Sequence, residues 1–270
     1  MADFAIPARE YALVFGTAVV VTFLLTGVVR LIAVRLGVVT PIRDRDVHSL
    51  PIPRMGGVAV YAGFAAAVLM AVQLPALGGA FISSSEVLGV LAAGGLICLV
   101  GVLDDRFDLD AIAKLAGQIL AAGILVIFGV QWQLIWLPSD GPTGGSIVTL
   151  DQTQGIVLTV LLTVVLTNAM NFIDGLDGLL AGVAAISAFA IFIFSARQLS
   201  LSGDVGSASQ SPLIAAALVG ACIGFLPHNF SPARIFMGDS GAMFIGLAMA
   251  GATVSASGKI DTSTFGPRSD

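Results

Sequence analysis

The sequence predicts an all-α fold, a polytopic membrane bundle of about eight transmembrane helices forming one domain over residues 1–270. Three observations carry that expectation. Hydrophobic residues make up 57% of the chain, and the mean hydropathy is +0.99. Only 12 basic and 17 acidic side chains occur in 270 residues, too few for a soluble domain of this length. The apolar residues also gather into continuous runs, whereas barrel strands would alternate apolar and polar positions over ~10 residues.

Eight runs lie near residues 11–34, 56–74, 87–103, 111–130, 154–172, 178–196, 212–227 and 239–257. Each is long enough, or nearly so, to cross ~30 Å of hydrocarbon as a helix. The first follows Arg9 and Glu10, is too long for a signal-peptide core and lacks a small-residue cleavage site, so it reads as a retained anchor. Residues 75–86 and 131–153 are rich in Gly, Pro, Ser and Thr and read as loops without a motif. Cys98 and Cys222 fall inside apolar runs, as small core residues do. Gly63, Ala66, Gly94 and Gly95 suit close helix packing.

Consecutive membrane helices alternate in direction, so the first, third, fifth and seventh connections emerge on one face. Those connections hold Asp44, Asp46, Asp104, Asp105, Asp108, Asp110, Asp174, Asp177 and Asp239, nine of the 17 acidic residues. The same face carries Arg30, Arg35, Arg43, Arg45, Arg54, Arg106, Lys114 and Arg234, against Arg197 alone in the even connections between helices. By the positive-inside rule it is the cytoplasmic face.

Charged groups at a membrane rim are costly, about 2.5 to 3.5 kcal/mol each at helix-centre depth on insertion scales, so their clustering points to chemistry. Asn168, Asn171, Asp174 and Asp177 recur at three-residue spacing and would form one drifting stripe on a helix. A plainer alternative is a polar helix junction turning at Gly175 and Gly178. Asp104 and Asp105 end the third apolar run; Asp108 or Asp110 suffices to cap the next helix, leaving the adjacent pair free for a hard cation. Ser231 and Pro232 have the pattern of an N-cap and first-turn proline. Gly238-Asp239-Ser240-Gly241 opens the eighth run, whose free N–H groups would favour an anion, with Asp239 as either N-cap or metal ligand. Arg35, Arg43 and Arg45 read as topological charge. Arg54 and His48 flank the stiff Pro51-Ile52-Pro53 segment and are candidates for phosphate contacts, as is Arg234.

So many carboxylates imply a metal. A diphosphate approaching them would be repelled by about 4 kcal/mol per unit-charge pair at 4 Å in an effective dielectric of 20, and a divalent cation reverses that sign. Magnesium and a phosphorylated substrate are the expectation.

Taken together, His48 to Gly57 (HSLPIPRMGG), Gly101 to Asp108 (GVLDDRFD), Asn168 to Gly178 (NAMNFIDGLDG) and His228 to Gly241 (HNFSPARIFMGDSG) resemble the polyprenyl-phosphate N-acetylhexosamine-1-phosphate transferases, glycosyltransferase family 4. The resemblance implies transfer of a sugar 1-phosphate from a UDP-sugar to a polyprenyl phosphate, with Mg2+ as cofactor and release of UMP. It also implies a homodimer in the bacterial plasma membrane, with no nucleic-acid partner. Carried over by residue, Asp104 and Asp105 would engage the lipid phosphate and reaction centre, one as base. Asp239 would be the metal ligand, joined by Asp104. Asp174 and Asn171 would line the cleft, and Asp177, Asn229 and Phe236 would contact the nucleotide, Phe236 by stacking on uracil.

The muramoyl-pentapeptide branch has a lysine just before its Pro-x-Met-Gly-Gly stretch. Here Pro51-Ile-Pro-Arg54-Met-Gly-Gly has none, which resembles the branch that uses UDP-N-acetylglucosamine for teichoic acid, O-antigen or arabinogalactan linkage units. Family members, with 10 or 11 membrane helices, continue through further helices and a His-rich cytoplasmic loop. This chain reaches Asp270 with His48 and His228 as its only histidines, so it is expected to be C-terminally incomplete relative to the family. Two rivals stand beside the enzyme. A transporter would hold its ionisable residues near the bilayer midplane, and an inactive scaffold would show no magnesium-dependent nucleotide binding.

Overall fold

A computed structural model describes residues 6–40, 51–138, 145–202 and 210–257. The apolar runs fold as helices because no solvent competes for their backbone groups and every N–H must find its carbonyl within the segment. They are α1 (Ala8–Arg35), α2 (Gly56–Ala71), α4 (Glu86–Phe107), α5 (Ala111–Ile127), α6 (Gln152–Ile173), α7 (Leu179–Ser202), α8 (Gln210–Asn229) and α9 (Gly238–Ser257), with a four-residue turn of helix, α3 (Ala80–Ser83), before α4. Six are long and apolar enough to cross a membrane; α2 and α5 are shorter apolar helices. The eight expected segments all form, with ends shifted by a few residues.

Local chemistry sets several ends. Asp110 caps α5 by accepting the Ala113 N–H, and Asp151 caps α6 in a reciprocal capping box with Gln154. At the end of α4, Asp108 turns into the left-handed region (φ 50°) and its N–H returns to the Asp104 carbonyl, a conformation that Asp tolerates better than most residues.

Helices α8 and α9 form the centre: 78% and 83% of their apolar windows are buried, against 28% for α1 and 22% for α6. Alanine and glycine dominate both, so neighbouring backbones come close. A Cβ on Gly220 or Gly224, one turn apart on α8, would overlap the carbonyls of Phe15 and Val19 on α1, the small-xxx-small packing of membrane helices.

Two short sheets were not foreseen. Strand β1 (Val39–Thr40) pairs antiparallel with β2 (Ile52–Pro53), Val39 opposite Pro53. On the opposite face β3 (Leu134–Pro138) and β4 (Gly145–Thr149) form an antiparallel hairpin with Leu134 opposite Thr149. The loop reading of 131–153 therefore needs correction: five-residue strands flanked by Gly, Pro and Ser carry too little alternation to register.

Candidate active site

The first, third, fifth and seventh connections converge. At their meeting point α9 begins, and its entry is built from backbone. A Cβ on Gly57 would overlap the Gly241 amide, and one on Gly101 would overlap Ser240, so α2 and α4 approach the first turn of α9 with nothing between. The α4 carboxylate of Asp105 then accepts the N–H groups of Asp239 (3.0 Å) and Ser240 (3.3 Å). A helix N-terminus carries unsatisfied N–H groups and partial positive charge, and here a carboxylate from another helix caps it. The expectation that these N–H groups are free for an anion is corrected: Asp105 already takes them.

Asp239 itself points the other way. Its Oδ2 accepts from Lys114 Nζ on α5 at 2.8 Å, and its Oδ1 accepts from Asn171 Nδ2 on α6 at 2.6 Å. Lys114 Nζ also lies 2.5 Å from Asp104 Oδ2 on α4, while Asp104 Oδ1 accepts the Leu109 N–H at 2.8 Å. Four helices thus contribute one side chain each to a continuous ionic cluster. Asp104 is buried, and the Asp239 and Lys114 side chains keep 27% and 30% of their exposure, so a ligand can reach them. Sequence reasoning counted Lys114 only as topological charge. The signal was its isolation, the sole charged group of α5.

The amide and carboxylate stripe does not run along one helix. Helix α6 ends at Ile173 with Asp174 as its C-cap, and the chain turns through Gly178 at φ +72°, a conformation glycine adopts without cost. Asn171 stays on the helix, Asp174 sits at its end, and Asp177 lies in the turn, so the junction alternative holds and the helical stripe is corrected. Asp174 receives the Gly238 N–H and faces the Arg54 guanidinium, yet burial among protein atoms, reinforced by the nearby Asp239 charge, pushes its carboxyl up to about 8.

Asp177 Oδ2 accepts the Ala233 N–H at 3.0 Å. Asn229 is buried with both ends of its amide engaged: its Oδ1 accepts the Gly178 N–H and its Nδ2 donates to the Ile235 carbonyl, each at 3.0 Å. These bonds latch residues 230–237 to the α6–α7 junction through Asn229 and Asp177. The same segment pairs with the first connection, Phe236 N–H to Pro53 O (2.9 Å) and Gly56 N–H to Phe236 O (3.0 Å). Residues 230–237 form a loop with a cis Ser231–Pro232 bond, which corrects the expected short helix there. Phe236 and Arg54 are half-buried, and Arg234 is exposed. His48, with Arg43 and Arg45, lies outside the described residues.

Magnesium takes oxygen ligands and usually binds through one or two carboxylates plus substrate phosphates. Among the described residues no three His, Cys, Asp or Glu side chains converge at metal spacing. Two carboxylates do share one cation, the Lys114 ammonium between Asp104 and Asp239. Hard oxygen donors already gathered around a positive charge fit a magnesium site completed by a phosphorylated ligand.

Comparison with known proteins gives the family. A sequence profile of Glycosyl transferase family 4 matches residues 87–257. The chain is 51% identical over 263 residues to a decaprenyl-phosphate N-acetylglucosaminephosphotransferase of Mycolicibacterium smegmatis, covering 97% of this chain and 64% of that protein. It is 31% identical to a probable undecaprenyl-phosphate N-acetylglucosaminyl 1-phosphate transferase of Bacillus subtilis, over 87% of this chain and 60% of the relative. A phospho-N-acetylmuramoyl-pentapeptide-transferase of Mycobacteroides abscessus is 34% identical, over 91% and 76%. The chain thus spans a little under two thirds of the length of the N-acetylglucosamine relatives. With the cluster built from the segments that the profile covers, this chain belongs to glycosyl transferase family 4.

Proposed function

We propose that this protein transfers N-acetylglucosamine 1-phosphate from UDP-N-acetylglucosamine to a polyprenyl phosphate, releasing UMP, on the cytoplasmic face of a bacterial plasma membrane. The observation that carries the reading is the ionic cluster of Asp104, Lys114, Asn171 and Asp239 at one rim of an apolar bundle. Two of the relatives act by name on polyprenyl phosphates with N-acetylglucosamine. A transporter is disfavoured because the carboxylates lie at helix ends.

In the reaction an oxygen of the lipid phosphate attacks the sugar-bearing phosphorus of the nucleotide. The bond from that phosphorus to the bridging oxygen breaks, and UMP leaves with the oxygen and its electron pair. Magnesium held by Asp239 and Asp104 would supply the positive charge that such phosphoryl chemistry requires. Lys114 neutralises the lipid phosphate as it replaces a carboxylate partner. Asp104 accepts the proton of a protonated lipid phosphate and turns it toward attack. Asn171 fixes the rotamer of Asp239, and Asp105 contributes by holding the start of α9. Arg54, His48 and Arg234 supply phosphate contacts, and Asp177 and the Phe236 ring face the nucleotide.

The test is UMP release and lipid-linked sugar formation from purified protein given UDP-N-acetylglucosamine, decaprenyl or undecaprenyl phosphate, and magnesium, with EDTA and UDP-N-acetylmuramoyl-pentapeptide as controls. Turnover that requires magnesium and the N-acetylglucosamine donor supports the proposal. Turnover with the muramoyl donor alone would reassign the donor, and persistence in EDTA would remove the metal.

A further inference from the structure

One helical turn deeper than the ionic cluster, the same three helices meet again. Lys114 and Gln118 are four apart on α5, Asn168 and Asn171 three apart on α6, and Asp239 and Met243 four apart on α9, so each pair stacks on one face of its helix. In the deeper layer Asn168 Nδ2 donates to Gln118 Oε1 at 2.7 Å, and Gln118 Nε2 returns to Asn168 Oδ1 at 3.4 Å. Asn168 also donates to the Val164 carbonyl at 2.8 Å, and Gln118 Nε2 lies 3.8 Å from the Met243 sulfur. Gln118 is only 3% exposed.

The buried Gln118 amide loses water, so its partner must be specific, and that partner, Asn168, is itself exposed at the side of α6. The helix that carries Gln118 needs such a constraint. Ile112, Leu115, Ile119 and Leu120 of α5 are exposed, so among the described residues no neighbouring helix holds its outer face. Each residue step on a helix is a turn of about 100°, so a modest roll of α5 would carry Lys114 off both carboxylates. Gly117 packs closely on Val100 of α4, and the Gln118–Asn168 hydrogen bonds add a directional constraint that apolar contact lacks.

We infer that the Gln118–Asn168 amide pair is a positioning device that sets the rotation of α5 against α6, so that Lys114 and Asn171 converge on Asp239. Neither amide touches substrate. The inference rests on reading the ionic cluster as the active centre, and its test has a readout that needs no turnover. Lys114 and Lys259 are the only lysines in the chain, so amine acylation scored by mass spectrometry reports Lys114 with Lys259 as internal reference.

The comparison is between wild type, Gln118→Met, Asn168→Leu, the double variant, and Thr163→Val. Thr163 is a buried hydroxyl on α6 whose bond stays within its own helix. In either amide variant the Lys114 to Lys259 labelling ratio should rise severalfold, the double variant should match the singles because one clasp is lost, and Thr163→Val should leave the ratio unchanged. In turnover, kcat should fall about 10- to 100-fold, the scale of a positioning error near the chemistry, with KM for the nucleotide sugar unchanged. Should Gln118→Met fail to survive extraction, Gln118→Asn keeps an amide one methylene too short to reach and should raise labelling equally. Unchanged Lys114 labelling in a folded amide variant, or an equal rise in Thr163→Val, would overturn the inference. Labelling that shifts in a chain silent toward UDP-N-acetylglucosamine would uphold the clasp while counting against the transferase reading.

Discussion

The two rims of the bundle both carry polar side chains, but they use them differently. At the rim away from the site, Glu10 accepts the N–H groups of Ala76 and Leu77, Gln210 joins the Ala80 carbonyl to the Val87 N–H, and the Trp132 indole donates to Ser257. Most of these bonds end on backbone and close a turn or a helix end. At the site rim Asp104, Lys114, Asn171 and Asp239 bond mainly to one another across four helices. A carboxylate spent on backbone N–H groups is scaffold, whereas one paired with a lysine can release that ammonium to a phosphate oxygen and take up a divalent cation in its place. Asp105 shows that position along the chain does not decide the matter: it adjoins Asp104 and yet behaves like Glu10.

The contrast can be broken from its strongest side first. Asp239→Ala removes the shared partner of Lys114 and Asn171 and should lower transfer by 100- to 1,000-fold or more, on the order of the loss of a major electrostatic group, while membrane insertion stays normal; UMP release in the full-length protein is the check. Lys114→Met should cost on the order of 100-fold in kcat because two carboxylates are left facing each other. Lys114→Arg should recover only part of that, since a planar fork does not replace a point charge. If Lys114→Met turned over at the wild-type rate, the cluster would be scaffold at both rims. Asp105→Asn keeps one acceptor but loses the charge that faces the α9 N-terminus, so it should lower stability by about 1 kcal/mol, read as a lower melting temperature in detergent. The smallest effect on function belongs to the far rim, where Glu10→Ala should cost roughly 1 to 2 kcal/mol of stability and leave kcat unchanged. A fall in kcat with an unaltered melting temperature would mean that the two rims are coupled.

Much of this was legible before any coordinates. Long apolar runs gave the eight helices, because at membrane depth apolarity and helix formation are one requirement. Asp104, Asn171, Asp174 and Asp239 stood out for the same reason, a polar group being expensive where they lie. Three things were hidden. The roles of Asp104 and Asp105 diverge because adjacent helical residues point about 100° apart, and only tertiary packing decides which one meets α9. Lys114 hid among topological charges because its partners are 10 and 125 residues away in sequence. The stripe from Asn168 to Asp177 kept helical spacing through a junction that periodicity alone does not mark, although the glycines at 175 and 178 did.

The contact of Gly57 and Gly101 with the first turn of α9 bears on how this protein can change. All four residues of that contact, Gly57, Gly101, Ser240 and Gly241, are buried, so backbone meets backbone beneath Asp239 and a larger residue at either glycine would push the helices apart. Drift in sequence at either position would therefore move the start of α9, and Asp239 with it, even though neither glycine has a side chain to offer.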